Sequence, residues 1–336
     1  MKKYNFFKKI SSMENLFLAW SEFVKGKKHK KDVLEFSLYL SENIWNLHND
    51  LQKKIYTHGG YEAFNISDPK PRNIHKASVR DRLLHHAIYR VLYPYFDTKF
   101  IYDSYSCRKW KGTHRAFERF SEFGRKASKN NRKTLWILKC DIKKFFASID
   151  HNKLIQILGM YDLDKNTIWL LGQVISSFPP LGSSASKWKG LPLGNLTSQL
   201  LVNIYMDWFD QHMKHGLKTK YYIRYADDFV ILSQNKTELE NILVQIKLFL
   251  KENLLLDLHP NKVTITTFAS GVDFLGWVHF PTHRVLRTTT KRRMFKSLEN
   301  NPSKETIQSY LGMLGHGDAR KLEKRINLSL SKISSS

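Results

Sequence analysis

The heptamer Tyr225-Ala226-Asp227-Asp228-Phe229-Val230-Ile231 constrains this chain more than any other stretch. Two adjacent carboxylates sit between an aromatic residue and an apolar run. The flanks, residues 220–224 and 228–232, have the composition of short strands. The pattern predicts a β-hairpin with the acidic pair at its turn, pointing out of a sheet. Neighbouring carboxylates repel unless a cation lies between them, and a divalent metal is the obvious cation. A solvated turn also explains the pair, because turns favour aspartate for their own reasons.

A second acidic position weighs against the bland reading. Leu135-Trp136-Ile137-Leu138-Lys139-Cys140-Asp141 is an apolar strand that ends on a carboxylate, and Asp227 follows 86 residues later. Carboxylates from separate elements are what two-metal nucleotidyl transfer needs, since they must converge on ions roughly 3.5–4 Å apart. One ion would activate a 3′-hydroxyl, and the other would hold a triphosphate. Magnesium suits such a site because it prefers carboxylate, phosphate and water oxygens. The arrangement is that of a polymerase palm.

Further motifs follow in order. They are Lys70-Pro71-Arg72-Asn73-Ile74, Val79-Arg80-Asp81-Arg82-Leu83-Leu84-His85-His86-Ala87 and Gly190-Leu191-Pro192-Leu193-Gly194-Asn195-Leu196-Thr197-Ser198-Gln199. Leu256-Asp257-Leu258-His259-Pro260-Asn261-Lys262 and Phe274-Leu275-Gly276-Trp277 come last. With Tyr-Ala-Asp-Asp, these six ordered motifs resemble the reverse transcriptases over about residues 30–315. The resemblance implies an α+β, right-hand polymerase fold with fingers, an antiparallel-sheet palm and a small helical thumb. It implies an RNA-directed DNA polymerase with catalytic Asp141, Asp227 and Asp228. The implied metal set for two Mg2+ ions is Asp141, Ile142, Asp227 and Asp228.

The same resemblance assigns the nucleotide site. Lys70 and Arg72 match the triphosphate-binding cations of the fingers, and their spacing lets both face one side of an extended segment. Phe146, five residues after Asp141, stands where the family has its steric gate against a 2′-hydroxyl. Phe145 beside it should face the core, as neighbours in an extended segment face opposite ways. Leu193, Gly194 and Gln199 match the loop that meets the new base pair, and Lys262 stands where it could donate a proton or contact the leaving pyrophosphate. Phe274, Leu275, Gly276 and Trp277 match the primer grip. Asn195 is expected to cap the helix that follows it. The pair His85-His86 reads as helix packing or RNA contact, not as a zinc site.

Leu193-Gly194-Asn195-Leu196-Thr197-Ser198-Gln199 is similar to the enzymes of diversity-generating retroelements, where an aliphatic residue replaces the usual glutamine before the glycine. Bacterial defence-associated reverse transcriptases share several of these features. A catalytically idle RNA-binding scaffold is the rival from another class, and the three aspartates argue against it. The implied partners are a template or noncoding RNA, a DNA primer or cDNA product, and deoxynucleotides. The resemblance also allows an accessory protein or a homo-oligomer.

Charge agrees with a polyanionic partner. The net charge is +25, and the lysines and arginines are clustered. Residues 1–31 hold nine lysines against two acids, and residues 108–133 hold ten basic residues against two acids. No run of eighteen apolar residues suggests a membrane span, and the N-terminus lacks the apolar core of a secretory signal. Cys107 and Cys140 form neither a metal motif nor a disulfide framework, which fits a reducing cytoplasm.

The apolar spacing predicts helices over 32–50, 80–95, 196–213 and 237–252, the second ended by Pro94. Residues 182–189 read as a loop, and Asn300-Asn301-Pro302-Ser303 as a break before a helix starting at Lys304. The expected organisation is a basic N-terminal extension (1–50), fingers (51–135), a first part of the palm (136–150) and an insertion (151–189). The palm with primer grip (190–285) and a short helical thumb (286–336) follow. About sixty residues after the grip leave room for that thumb and too little for a ribonuclease H domain.

Overall fold

A computed structural model describes residues 4–67, 71–178, 189–300 and 303–333, and side chains as far as residue 326. Helices α1 (Phe6–Ile10), α2 (Met13–Phe23), α3 (Lys31–Leu38) and α4 (Leu40–Gln52) open the chain. The stretch read as a basic extension is therefore a packed helical layer. Phe6, Phe7, Ile10, Leu16, Ala19, Trp20 and Phe23 are buried in the main core, while Lys8, Lys9, Lys25, Lys28, Lys30 and Lys31 are exposed. Asn15 ties the layer to the next long helix, α5 (Val79–Asp97), by donating to the carbonyls of Ile10 and Ala87. The single helix expected over 32–50 breaks at Tyr39, whose backbone leaves the helical region (φ −120°, ψ 38°).

The antiparallel hairpin β1 (Tyr61–Ile66) and β2 (Arg72–Ala77) leads into α5. Pro94 does not end that helix but lies inside it. Proline removes the donor for the Arg90 carbonyl, and burial of Tyr93 and Phe96 carries the last turn nonetheless. Then come α6 (Thr113–Ala127), β3 (Trp136–Asp141), α7 (Phe145–Ser148), α8 (His151–Gly159) and α9 (Lys165–Ser176). The loop read over 182–189 lies outside the described residues, apart from Lys189. Helix α10 (Leu196–Gln211) continues through a π turn at His212–Gly216, followed by β4 (Tyr222–Tyr225), β5 (Asp228–Ser233), α11 (Lys236–Leu254) and β6 (Thr264–Thr267).

Strands β4, β5, β3 and β6 lie side by side in that order, all antiparallel. Period-two alternation decides which core each residue enters. Leu138, Cys140, Tyr222, Phe229 and Ile231 enter the large core, where α10 and α11 also pack. Ile137, Ile223, Val230 and Leu232 enter a second core on the other face. Helix α6 covers that face with Ala116, Phe120, Phe123 and Ala127. Interleaved strands and helices without a parallel βαβ repeat suit an antiparallel sheet with helices on one face. The sheet is covered on both, because the basic stretch 108–133 hides an aromatic stripe.

A separate three-stranded sheet, β7 (Val272–Phe274), β8 (Trp277–His279) and β9 (Arg284–Leu286), follows β6. It hands the chain to α12 (Thr288–Asn300), α13 (Lys304–Leu314) and α14 (Arg320–Ile333). Ser303 caps α13 through the amide of Thr306, so the helix does start at Lys304. Trp277, Leu286, Met294, Ile307, Leu314 and Phe117 of α6 close a third core under these helices. Among the described residues no helix is long and apolar enough to cross a membrane.

Candidate active site

The β4–β5 register pairs Tyr225 with Asp228, which leaves Ala226 and Asp227 as a two-residue turn. Ala226 takes φ 55°, the left-handed region favoured at the first position of tight hairpin turns. For a residue with a Cβ this costs about 1–2 kcal/mol. A buried guanidinium supports the strained turn from below. Arg224 donates to Asp210 through Nε (2.8 Å to Oδ1) and Nη2 (2.6 Å to Oδ2). Its Nη1 reaches the Ala226 carbonyl at 3.1 Å, and its Nη2 reaches Ser104 Oγ at 3.1 Å. The Tyr222 hydroxyl also donates to Asp210, at 2.7 Å. Arg224 and Asp210 are both fully buried. Burial disfavours the charge on Arg224, but Asp210 outweighs it, and the pKa of the guanidinium is raised.

The third carboxylate arrives by sheet register. Strand β3 places Asp141 directly opposite Asp228. Beyond it the Ile142 amide donates to the Asp227 carbonyl at 3.2 Å, and the His259 amide to the Asp141 carbonyl at 2.7 Å. Asp141, Asp227 and Asp228 thus gather at one end of two adjoining strands. Asp141 is buried, and the other two are half-buried. Lys262 sets its ammonium against both oxygens of Asp141, at 2.9 and 3.0 Å. Burial first, then the charges of Asp227 and Asp141, push the Asp228 carboxyl up to about 6, against the pull of Lys139 and Lys262.

That electrostatic strain is the observation that bears on a metal. Three acids crowd one sheet end, a lysine sits on one of them, and another resists ionisation. A cation is favoured there, and the donors are hard oxygens of the kind magnesium takes. Among the described residues no three acidic, histidine or cysteine side chains close on a common metal position, and Asp141 is ion-paired with Lys262.

Phe145 and Phe146 do not lie in an extended segment, as expected, but in the one-turn helix α7. Lys144, in the left-handed conformation (φ 47°), turns the chain sharply out of the strand. Phe145 is buried in the main core, and Phe146 is half-buried and packs against the same core. The Phe146 carbonyl accepts from the Leu191 amide at 2.8 Å, which ties α7 to the loop ahead of α10.

That loop rests on the β1–β2 hairpin. The His75 amide donates to the Leu193 carbonyl at 3.1 Å. Gly194 has φ 103°, and a Cβ there would lie 2.9 Å from Ile74 Cγ2, so glycine is required twice over. Asn195 stands at the N-cap of α10 but does not cap it; its amide reaches the His75 carbonyl at 3.4 Å. Gln199 is half-buried on the first turn of α10, and Arg72 is exposed at the start of β2. Lys70 lies outside the described residues.

In the grip motif, Phe274 pairs with Trp277 and both rings are buried. Leu275 (φ 53°) and Gly276 (φ 88°) form the turn. The sequence reading missed the brace formed by Arg224 and Asp210. It also left His85 open, which is buried, 3.0 Å from both Thr197 Oγ1 and His58 Nε2. Burial and then His58 lower its pKa to about 3, so it is neutral and serves packing. Arginine in the middle of a strand, one residue before the acidic heptamer, was the available signal for the brace.

The sequence pattern of one family, described as reverse transcriptase (RNA-dependent DNA polymerase), matches residues 66–279. The protein YkfC of Escherichia coli is 24% identical over 67% of this chain and 66% of its own length. The group II intron-encoded protein LtrA of Lactococcus lactis is 24% identical over 64% and 45%. The COX1/OXI3 intron 2 protein of Saccharomyces cerevisiae is 22% identical over 57% and 28%. The chain therefore spans less than two thirds of each of these relatives. Among solved structures, telomerase from Candida albicans in complex with a telomeric RNA fragment superposes with a TM-score of 0.50 at 11% identity, over 73% of this chain and 51% of that one.

Proposed function

We infer, from a chain that belongs to the reverse transcriptase family, that it copies an RNA template into DNA. The observation that carries this reading is the register that sets Asp141 opposite Asp228, with Asp227 on the adjoining turn. Asp141 and Asp227, with the Ile142 backbone and Asp228, would hold two Mg2+ ions. Such ions lower the pKa of a primer 3′-hydroxyl and spread the charge of a reacting triphosphate.

The remaining roles belong to the chain's own residues. Arg224 and the Ile142 amide hold the two turn carbonyls, which fixes where the Asp227 carboxylate can lie. Lys262 sets a positive charge against Asp141 beside two other acids. Phe146, half-buried at the exit of β3, would lie beneath the incoming sugar and exclude a 2′-hydroxyl. Arg72 would meet the triphosphate, with Lys70 as its proposed companion. Leu193, its backbone fixed by His75, would meet the new base pair through dispersion alone. The partners of this reading are template RNA, a primer or cDNA end and deoxynucleotides, in a reducing cytoplasm. An accessory protein or a second copy belongs to the same proposal.

Within the family we place the chain with the error-prone, diversity-generating retroelement group. Leu193 supports this, because it cannot reward correct pair geometry with a hydrogen bond. A net bond of that kind is worth about 0.5–1.5 kcal/mol, or roughly a two- to twelvefold change in discrimination. The alternative is a defence-associated enzyme working with a noncoding RNA.

Primer extension on a defined RNA template, followed by sequencing of the cDNA, tests both levels. The expected result is magnesium-dependent DNA synthesis with errors concentrated opposite adenine. RNA binding without synthesis would favour an idle scaffold. A flat, low error spectrum would favour the defence-associated reading.

A further inference from the structure

The segment between α5 and α6 presents a side chain that folding does not explain. Trp110 is 94% exposed and takes φ 62°. A bulky residue in the left-handed region is strained, and glycine would hold the position more easily. Burial offers no return here, because the indole lies in water.

The loop around it is nevertheless held rigidly. Arg108 donates to Asp97 Oδ1 at 2.7 Å, to the carbonyls of Ile101 (2.7 Å) and Ser104 (3.0 Å), and to the Asp97 carbonyl at 3.2 Å. The Lys109 amide donates to the Tyr93 hydroxyl at 2.6 Å, and the Lys111 ammonium to the Tyr102 carbonyl at 2.8 Å. The Gly112 amide closes the loop on the Tyr105 carbonyl at 3.0 Å. A side chain on a fixed backbone loses little freedom when it binds something.

The loop is also anchored on the catalytic hairpin. The Tyr105 amide donates to the Arg224 carbonyl at 2.9 Å, and Thr113 Oγ1 to the Tyr225 hydroxyl at 3.2 Å. On the far side His114 stacks on His316, between α13 and α14, at 3.6 Å. Trp110 thus stands by the path between the acidic turn and the C-terminal helices. The segment Arg108-Lys109-Trp110-Lys111-Gly112-Thr113-His114-Arg115 holds no acid; Arg108 is taken up by Asp97, while exposed Lys109 and Arg115 flank Trp110 in sequence, Arg115 paired with Glu118.

We propose that Trp110 is a stacking contact for an unpaired base of the nucleic acid held at this site, its strand kept close by the neighbouring cations. Interior bases of a duplex are covered on both faces, so apart from a terminal pair only a single-stranded segment offers a free π-face to the indole. The inference rests on the polymerase reading for the kind of ligand, and its test does not require synthesis.

The test is binding by fluorescence anisotropy with the full chain. One probe is a blunt RNA–DNA duplex, and the other is the same duplex with a single-stranded RNA extension. Trp110→Gly should weaken binding of the extended probe by roughly five- to hundredfold, the range for one lost base–aromatic stack. Binding of the blunt probe should stay within about twofold, well below the loss of one stack. Trp110→Phe should retain most of the affinity. The melting temperature of Trp110→Gly should equal or exceed that of the wild type, since the strain is relieved. Unchanged binding of the extended probe would overturn the proposal, as would equal losses on both probes. A lower melting temperature, or a protein that copurifies with the wild type and not with the variant, would assign the indole to packing or to a protein partner. A wild type that binds the extended probe through Trp110 and synthesises nothing would refute the polymerase reading and leave this contact standing.

Discussion

Two tight hairpins in this molecule use the same local device and are supported in opposite ways. The β4–β5 turn has Ala226 at φ 55°, and the β7–β8 turn has Leu275 at φ 53°. Under the first lies a charge network, in which Arg224 links the Ala226 carbonyl to the buried Asp210. Under the second lie two buried rings, Phe274 and Trp277. Polar bonds fix direction, which a turn carrying Asp227 needs. Aromatic packing fixes position and tolerates small shifts, which suits a turn that joins the palm to the C-terminal helices.

The largest effect should come from breaking the first support. Arg224→Met leaves Asp210 as an unpaired buried charge, so urea denaturation should show a loss of about 3–5 kcal/mol. Replacing both partners, Arg224→Met with Asp210→Leu, should recover most of that stability. DNA synthesis should stay low, because the Ala226 carbonyl still lacks its donor. Wild-type synthesis by the double variant would show that the brace does not position the turn.

Breaking the second support should cost a similar or smaller amount and act through primer binding. Trp277 meets the Phe117 ring at 6.3 Å and fills the space beside Gly317, where a Cβ would lie 2.0 Å from the indole. Trp277→Ala should lose about 3–5 kcal/mol by thermal melting. Below the melting range, synthesis per bound primer should persist. Loss of synthesis in a folded variant would mean that the two hairpins are not independent.

The smallest test compares the two strained residues directly. Ala226 has only a methyl group to lose, so Ala226→Gly should gain up to about 1 kcal/mol from relief of the left-handed strain. Leu275 packs against both the second and third cores. Leu275→Gly should therefore lose stability despite the same relief. Equal signs in the two melts would contradict the contrast.

Residues that carry their own local signal were legible in the sequence. The acidic hairpin, the strand ending at Asp141, and the helices α10, α11 and α13 follow from alternation, helical spacing and a capping serine. Features that depend on distant partners were not. In α6, Phe117, Phe120 and Phe123 recur at threefold spacing, but a dense shell of lysine and arginine hid the stripe. Asn195 has the composition of a cap, yet the fingers strand offers its side chain a carbonyl that the helix cannot outbid. The turn into α7 depends on Lys144 adopting a conformation that lysine rarely takes, and no sequence rule anticipates it. The pairing of Arg224 with Asp210 spans 14 residues and two elements, and only the folded sheet brings them together.

On the proposed function, the carboxylates at the ends of β3 and β5 and on the turn between β4 and β5 perform nucleotidyl transfer. Single-turnover extension of a primer on RNA by Asp227→Asn, with RNA affinity measured on the same sample, tests it most directly. The account predicts a fall in rate of about a thousandfold or more, equivalent to several kcal/mol of lost transition-state stabilisation. RNA affinity should stay within about twofold, far less than a lost phosphate contact series would cause. Extension retained within about tenfold of the wild type, which is about 1.4 kcal/mol, would contradict the claim.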